Sequence, residues 1–492
     1  MTTLDQAESQ TDVRDLTARR FERMRPFGGR PAPRFETRGL PPGPRWPVWV
    51  QSAALLRFRH QFVPRMWRTY GDTFTVRVVP AGRPLVLFTR PEHAKEIFAG
   101  DPEVFHAGKG NAILGPIMGE HSLLLQDSRE HQRARSLLMP AFNGHALRGY
   151  RALVEEVAHE EVGRWHSGEE FRSLDRMNAL TLEVILRVVF GVTDESRLAR
   201  LRPCVNRTVN ISPAVLLGWG YPALQRFGPW KRTVDNAYRL DELMYAEIRE
   251  RRTAPDLDGR ADVLSRLILA GAAGDRLRDE ELRDQLVTLL LAGHETTATA
   301  LAWALHELGR DRAQLARARE AARSGDDAHL EAVLKESLRL HPVIPMVVRT
   351  LMRPATIGGW NLPAGATVGP SILIAHCRED NHPDPERFDP SRFLGQNPPV
   401  NSWIPFGGGV RRCIGAGFSL MEGVAVLRAV LTAYDVTAVP SSPSRRLLPR
   451  LLSNRRHGPR LLRAGVTDRP KVRNITSVPR GGSRIRVDCA PR

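Results

Sequence analysis

The chain has 492 residues, 42% of them hydrophobic, which excludes disorder throughout and permits a large core. Four cysteines with no CxxC pair exclude a disulfide scaffold and a zinc site of four thiolates, and fit a reducing, intracellular setting. The net charge is +18, and Arg445–Arg473 alone holds ten basic residues against one acid, Asp468, a balance of +9. Such a run reads first as a solvated loop, and after that as a surface for acidic proteins, anionic lipid or nucleic acid.

Residues 1–45 form a polar, Arg-rich, loose lead-in that ends in a Pro-rich entry, LPPGP at Leu40–Pro44. Asp5, Glu8, Asp12 and Asp15 stand where a signal peptide would need an apolar core, so none is expected. No run of about 18 apolar residues marks a spanning helix either. Trp67–Phe88 alternates apolar and polar residues and predicts two strands around Pro80, Ala81 and Gly82. Pro91–Ala99 reads as a short helix. Asp127–Ala322 is mostly helical, with its strongest periodicity over Arg148–Trp165, Asn178–Phe190, Ala237–Arg252 and Leu282–Leu308. A further helix is predicted over His329–Leu340. Short strands follow at Val347–Leu351, Thr356–Ile357 and Thr367–Val368, then a final helix over Ala416–Tyr434. There is no internal repeat and no alternating βα series. The pattern predicts a large, mainly helical domain with a small β region.

Three places carry chemistry. In FGGGVRRCIG (Phe406–Gly415), Gly407, Gly408 and Gly409 precede a lone thiol, Cys413, just ahead of a helix N-terminus. Glycines let such a loop lie flat against a large ligand. Arg411, Arg412 and the helix dipole favour a thiolate. A thiolate so placed suits the single protein ligand of a haem iron, where its electron donation favours O–O cleavage. The other cysteines, Cys204, Cys377 and Cys489, read as small buried hydrophobes. In Leu282–Leu308, roughly 40 Å of helix, the segment LLLAGHETTATALAWAL is apolar on most sides. Yet it contains Gly293, Glu295, Thr296 and Thr297. Glycine inside a helix costs about 1 kcal/mol relative to alanine, and a buried carboxylate costs more unless paired. Two such choices within one turn mark a site. Asp279 is the expected N-cap. Third, Glu336 and Arg339 in KESLRL stand three apart and face the same way.

In chain order, HQRAR, AGHETT, ESLR, PERF and FGGGVRRCIG resemble the motifs of the cytochrome P450 family, nearest to its soluble bacterial, actinobacterial members. The spacing of the Cys loop arises by chance in about one such chain in ten thousand. The likeness spans about Pro41–Thr437, with PRGGSRIRV near the end similar to the family's last strands. It departs where the family has a short link and this chain has a long basic stretch, Ser441–Val472. The resemblance implies the P450 fold: one large haem-enclosing domain over 46–440, a basic insertion or loop over 441–473, and C-terminal strands over 474–492. It implies haem b with Cys413 as axial ligand. His131, Arg135, Ala292, Gly293, Arg349, Phe406, Arg411 and Gly415 would surround the cofactor, with His131, Arg135, Arg349 and Arg411 toward the propionates. Glu295 and Thr296 would handle the proton delivered to bound dioxygen, while His294 has no assigned role. Glu336, Arg339 and Arg387 would form a buried brace behind the Cys loop.

The activity implied is a monooxygenase that takes O2 and two external electrons to oxidise a hydrophobic organic substrate. A ferredoxin or flavodoxin with its NAD(P)H reductase would supply the electrons, in a monomeric, cytoplasmic protein without a membrane anchor. The alternative within the family is a peroxide-dependent or rearranging enzyme with no electron donor. Glu295 and Thr296 weigh against it. Outside enzymes, the alternatives are a haem sensor or a basic nucleic-acid-binding protein. Arg445–Arg473 has no aromatic residue for base stacking, and no nucleic acid is expected as a partner. The walls of the substrate pocket would include Ile113, Leu114, Ile117, Met118, Val215, Leu216, Ile344 and Val347.

Overall fold

The computed structural model describes residues 12–23, 39–79, 82–191, 194–211, 215, 222–272, 274–439, 468–473 and 476–490. Pro80, Ala81, Leu216 and most of the basic stretch lie outside them. The longer helices are α1 (Val13–Arg23), α2 (Val48–Tyr70), α3 (Pro91–Ala99), α4 (Ser128–Leu138), α5 (Gly144–Val162), α6 (Ser173–Phe190), α7 (Glu195–Val209), α8 (Gly228–Arg252), α9 (Val263–Leu269), α10 (Asp279–Leu308), α11 (Arg312–Ser324), α12 (Asp327–Leu340) and α13 (Ala416–Ala433). The fold is mainly helical, as the periodicity predicts. Its contacts gather into two compact units, one of residues 1–33, 101–153 and 181–295, the other of 34–100, 154–180 and 296–492.

The first unit is built on α4, α7, α8, α9 and the first half of α10, with α1 laid against α8. Helix α1 corrects the expectation of a loose lead-in. Phe21 is buried among Ile117, Ile211, Val215 and Ala237, and it meets Tyr238 edge-on at 5.9 Å. Beside it Asp241, fully buried, accepts from Thr17 Oγ1 and Arg20 at 2.6 Å each and pairs with Arg283 at 2.6 Å. Arg283 also donates to the carbonyls of Ile117 and Met118, at 3.1 Å each, and to Asp284 at 2.8 Å. Farther along, Arg251 joins Asp262, Ser265 Oγ and the carbonyl of Phe190, and so ties the ends of α6 and α8 to the start of α9.

The second unit carries the strands: β1 (Thr73–Val78), β2 (Arg83–Phe88), β3 (Glu169–Arg172), β4 (Arg349–Leu351), β5 (Ala355–Ile357), β6 (Trp360–Leu362), β7 (Thr367–Pro370), β8 (Tyr434–Ala438), β9 (Pro470–Arg473), β10 (Thr476–Pro479) and β11 (Arg484–Cys489). β1 and β2 form an antiparallel hairpin with Thr73 opposite Phe88. β2 runs parallel to β7, with Leu85 opposite Thr367, and β7 pairs antiparallel with β4. β11 lies between β3 and β8. The predicted alternation starts too early. Trp67–Tyr70 belong to α2, a helix that the sequence hides because Pro64 sits inside it and Phe58 breaks its helical angles.

Helix α10 begins at Asp279 itself, so its cap is Arg278, one residue before the expected one. The Leu282 amide donates to the Arg278 carbonyl, and Glu281 reaches back to the Arg278 amide at 2.9 Å, as in a capping box. α13 is long and apolar enough by composition to span a bilayer, yet most of it is buried inside the second unit, as a core helix is.

Removing the carboxylate at the centre of the first unit takes the buried partner from Arg20 and leaves Arg283 with Asp284 alone. Asp241→Ala should lower stability by about 3–5 kcal/mol. The exposed neighbour substitution Glu242→Ala should change it by less than about 1 kcal/mol. Urea unfolding of the two holoproteins compares them, and equal midpoints would overturn the assignment.

Candidate active site

The thiol loop is shaped from its backbone. The Cys413 amide donates to the Phe406 carbonyl at 2.9 Å, closing the loop on itself. Gly407 and Gly409 take φ of +66° and +64°, which side chains resist. Gly408 and Gly409 also press on α3. A Cβ on Gly408 would come within 2.3 Å of the Phe98 ring, and one on Gly409 within 2.0 Å of the Phe98 carbonyl oxygen. Part of the glycine requirement is therefore met by protein packing and not by a ligand. Gly415 is the N-cap of α13, two residues past Cys413. Cys413 itself is exposed, although Ala416 and Phe418 just beyond it are buried. Phe406 packs with Ala300, Leu338, Val343, Trp403 and Leu420. Arg411 ends the short 3-10 turn that starts at Gly409 and is half-buried. Arg349 opens β4 and is buried, with one nitrogen on the Val348 carbonyl at 2.9 Å.

Behind the loop lies the brace. Glu336 and Arg339 are both 0% exposed and meet through two parallel bonds of 2.7 and 2.8 Å. Arg339 then donates to the carbonyls of His376 (2.9 Å), Pro385 (2.8 Å) and Arg387 (3.1 Å). The expectation for Arg387 needs correction. Its side chain is exposed, and what it gives the network is its carbonyl. The cation that approaches Glu336 from outside α12 is Arg392, at 3.4 Å, and the Asp389 amide donates to the same carboxylate at 2.9 Å. PERF marks the right segment, and the side chain that pairs is five residues on.

His376 carries the brace to the thiol loop. Its Nε2 accepts from the Ile404 amide at 2.8 Å, and the Ile404 carbonyl accepts from Gly407 at 3.0 Å. Burial holds the imidazole well below its usual pKa, so it stays neutral and can accept. Neither His376 nor Arg392 stands out in the sequence, because each acts through one contact that no periodicity encodes.

Helix α10 is helical through Gly293–Thr297. Ala292 is exposed between a half-buried Leu291 and a half-buried Gly293. A Cβ on Gly293 would approach Ile185 of α6 to 2.9 Å, so this glycine also admits a close helix crossing. Glu295 is buried and Thr296 half-buried. His294 turns back on its own helix, with Nδ1 3.0 Å from the Leu290 carbonyl, and its own carbonyl accepts from Thr181. On α4, His131 is buried and Arg135 half-buried, one turn apart.

The sequence points to Thr297 but not to its partner Glu422 on α13. Thr297 Oγ1 lies 3.1 Å from Ser419 Oγ of α13, and it also hydrogen-bonds Glu422, which is fully buried on the same helix. Burial raises the Glu422 pKa well above the ordinary carboxylate range, so the side chain is a neutral acid. The signal was a lone charge in MEGVAVL, an otherwise apolar helix.

An exposed thiol at a helix N-terminus, in a loop fixed by hydrogen bonds from a buried ion pair, is the donor that a thiolate-ligated haem requires. The chain belongs to the cytochrome P450 family, whose model, described as "Cytochrome P450", matches residues 41–458. It is an oxidoreductase of the monooxygenase kind, and the cofactor is haem b with a cysteine thiolate as axial ligand. A Mycobacterium tuberculosis protein provisionally named cytochrome P450 135A1 is 51% identical over 452 residues, 92% of this chain and 96% of that one. A second from the same species, provisionally named cytochrome P450 135B1, is 39% identical over 456 residues, 91% of each chain. These mycobacterial relatives agree with the actinobacterial likeness. Among solved structures, retinoic acid-bound cyanobacterial CYP120A1 superposes with a TM-score of 0.75 at 23% identity, covering 92% of this chain and 99% of that one. The haem domain of cytochrome P450DA does so at 0.74 and 24%, covering 92% and 98%.

Glu336→Ala or Arg339→Ala leaves a buried charge unpaired, a loss of about 3–5 kcal/mol. Both should yield protein without haem, whereas Arg387→Ala should keep it. The red-shifted ferrous–CO band reads the difference, and its survival in the first two variants would refute the brace.

Glu422 makes a pH prediction. A carboxyl whose folded pKa lies above its unfolded value stabilises fully below about pH 4.5, and that contribution fades as pH rises toward the folded pKa. Glu422→Gln has no proton to hold. It should gain on the wild type by up to about 1.4 kcal/mol per pH unit above that point. Chemical denaturation at several pH values tests this, and a constant difference would contradict it.

Proposed function

We propose that Cys413 is the axial thiolate and that the enzyme oxidises a hydrophobic organic substrate with electrons from a ferredoxin or flavodoxin and its NAD(P)H reductase. The observation that carries this reading is the exposure of Cys413 in a loop whose backbone is tied through Ile404 and His376 to the buried Glu336–Arg339 pair. Thiolate-bound haem supplies O–O cleavage and transfer of one oxygen atom, with the second leaving as water.

The chain's own groups hold and serve it. Cys413 would bind the metal, with Phe406 and Gly415 shaping the loop around it. As the family likeness implies, Arg411 and Arg349 would hold a propionate, and so would His131 and Arg135. Ala292 and Gly293 would lie along the cofactor on α10. Thr296 presents a hydroxyl, and Glu295, buried one residue before it, passes the proton that the hydroxyl delivers; a relay in a closed site replaces bulk water. Ile113, Leu114, Ile117 and Val215 gather into one apolar cluster, which supports a hydrophobic substrate. In the same reading the catalytic domain occupies 46–440, the strands after 474 complete it, and the monomeric protein works in the cytoplasm.

Cys413→Ser should lose the red-shifted ferrous–CO band and all measurable oxygenation. Thr296→Ala should retain the band, keep consuming NAD(P)H with its partners, and lose product by about 10²-fold. Full product formation by Thr296→Ala would favour the peroxide-dependent or rearranging alternative.

A further inference from the structure

Eleven large hydrophobic side chains are exposed among the described residues, and five fall within one stretch: Trp46 (40%), Trp49 (70%), Leu56 (45%), Phe58 (54%) and Val79 (46%). The other six, such as Met139, Phe227 and Val400, are scattered singly over separate elements, which is ordinary for a protein surface. Four of the five lie in or just before α2, and the hairpin brings the fifth beside that helix. Trp49, Ala53 and Leu56 stand at i, i+4 and i+7 along the first part of α2, and all three face solvent. The hairpin of β1 and β2 lies alongside. The Arg77 amide donates to Gln51 Oε1 at 2.8 Å and the Val79 amide to Ser52 Oγ at 3.0 Å, which sets Val79 at the edge of the same patch. Phe58 projects where the helical angles break.

Charge along the segment that carries four of the five has one sign. Gly39–Gly71 contains no Asp or Glu. Arg45, Arg57, Arg65, Arg68 and Arg77 are all exposed around it, and the Arg57 guanidinium lies 5.5 Å from the Phe58 ring centre. Exposed Trp, Phe and Leu beside a run of arginines with no acid is the pattern of a helix lying in the plane of a membrane interface. Its apolar edge enters the acyl boundary and its cations meet phosphate headgroups. Phosphate headgroups meet a face of one sign without needing a partner of matching shape.

We propose that the α2 face, with Trp49, Leu56 and Phe58 as its apolar edge and Arg57, Arg65 and Arg68 as its cationic flank, docks the protein on the surface of an anionic phospholipid bilayer. No helix inserts across it. The docking is peripheral and reversible, and it is independent of which residue ligates the haem.

The test is co-sedimentation of the holoprotein with phosphatidylcholine vesicles, with and without a third of phosphatidylglycerol. Binding should be at least tenfold stronger to the anionic vesicles and should weaken as salt is raised. Because the whole chain is basic, charge alone gives some binding, and the decisive variant keeps every charge. Trp49→Ser, Leu56→Ser and Phe58→Ser combined should lower binding at least tenfold with the ferrous–CO band intact. Arg57→Gln, Arg65→Gln and Arg68→Gln combined should abolish the preference for anionic lipid. Equal binding by the triple serine variant and the wild type would overturn the proposal. So would wild-type dimers that dissociate in that variant while neither form binds vesicles, since the face would then be covered by a second copy.

Discussion

The second unit depends on one ion pair that touches nothing reactive. Glu336 and Arg339 are out of contact with water, and two charges so placed cost several kcal/mol each before they interact. Their attraction alone does not repay that. What does is the completeness of the arrangement. The carboxylate takes both prongs of the guanidinium and the Asp389 amide, and the guanidinium spends its remaining donors on three carbonyls of one irregular segment. A segment without regular structure has carbonyls that no neighbouring strand or turn satisfies. Arginine fixes several of them at once because its donors fan out in a plane. From there the order passes by backbone and imidazole bonds, His376 to Ile404 to Gly407, into the loop that presents Cys413. The thiol is held in place from behind, by groups it never meets.

The same device recurs in the first unit. Arg283 pairs with Asp241 and Asp284 and fixes the carbonyls of Ile117 and Met118. Arg251 pairs with Asp262 and fixes that of Phe190. Each time a buried arginine takes a carboxylate for its charge and irregular backbone for its spare donors. Hydrophobic replacements of like volume could match such pairs in stability, but they could not hold a chosen stretch of loop in a chosen register. These arginines specify conformation where helix and sheet do not.

How much of this the sequence displays follows from the range of each interaction. Helices α10, α12 and α13 announce themselves by periodicity, since burying one face repeats every turn. The Glu336–Arg339 pair is visible because both partners sit on one helix, and the thiol loop because glycine spacing is local. Helix α2 is hidden by Pro64, whose cost the packing of Phe62, Val63 and Met66 outweighs. The PERF motif points to Arg387, yet the residue that faces Glu336 is Arg392, because the segment's turns and not its spacing decide which side chain points inward. Helix α1 could not be expected from its polar composition. Only Thr17, Phe21 and one face of Arg20 are needed, and their partners lie more than 90 residues away.

Glu422 shows how close packing and chemistry share a helix. Gly423 beside it lets α12 approach, and a Cβ there would come within 2.6 Å of Leu334. With α13 drawn in so tightly, a charged side chain has no route to solvent, and Glu422 is left to stay protonated and bond Thr297. Thr297 is the residue after Thr296 on α10, and Glu422 lies on the helix that Cys413 precedes. A neutral acid can bridge two helices at that depth where a carboxylate could not, because it donates as well as accepts and carries no charge to desolvate. The bridge therefore fixes the alignment of α10 with α13 through one proton, and that alignment persists only while burial keeps the proton in place.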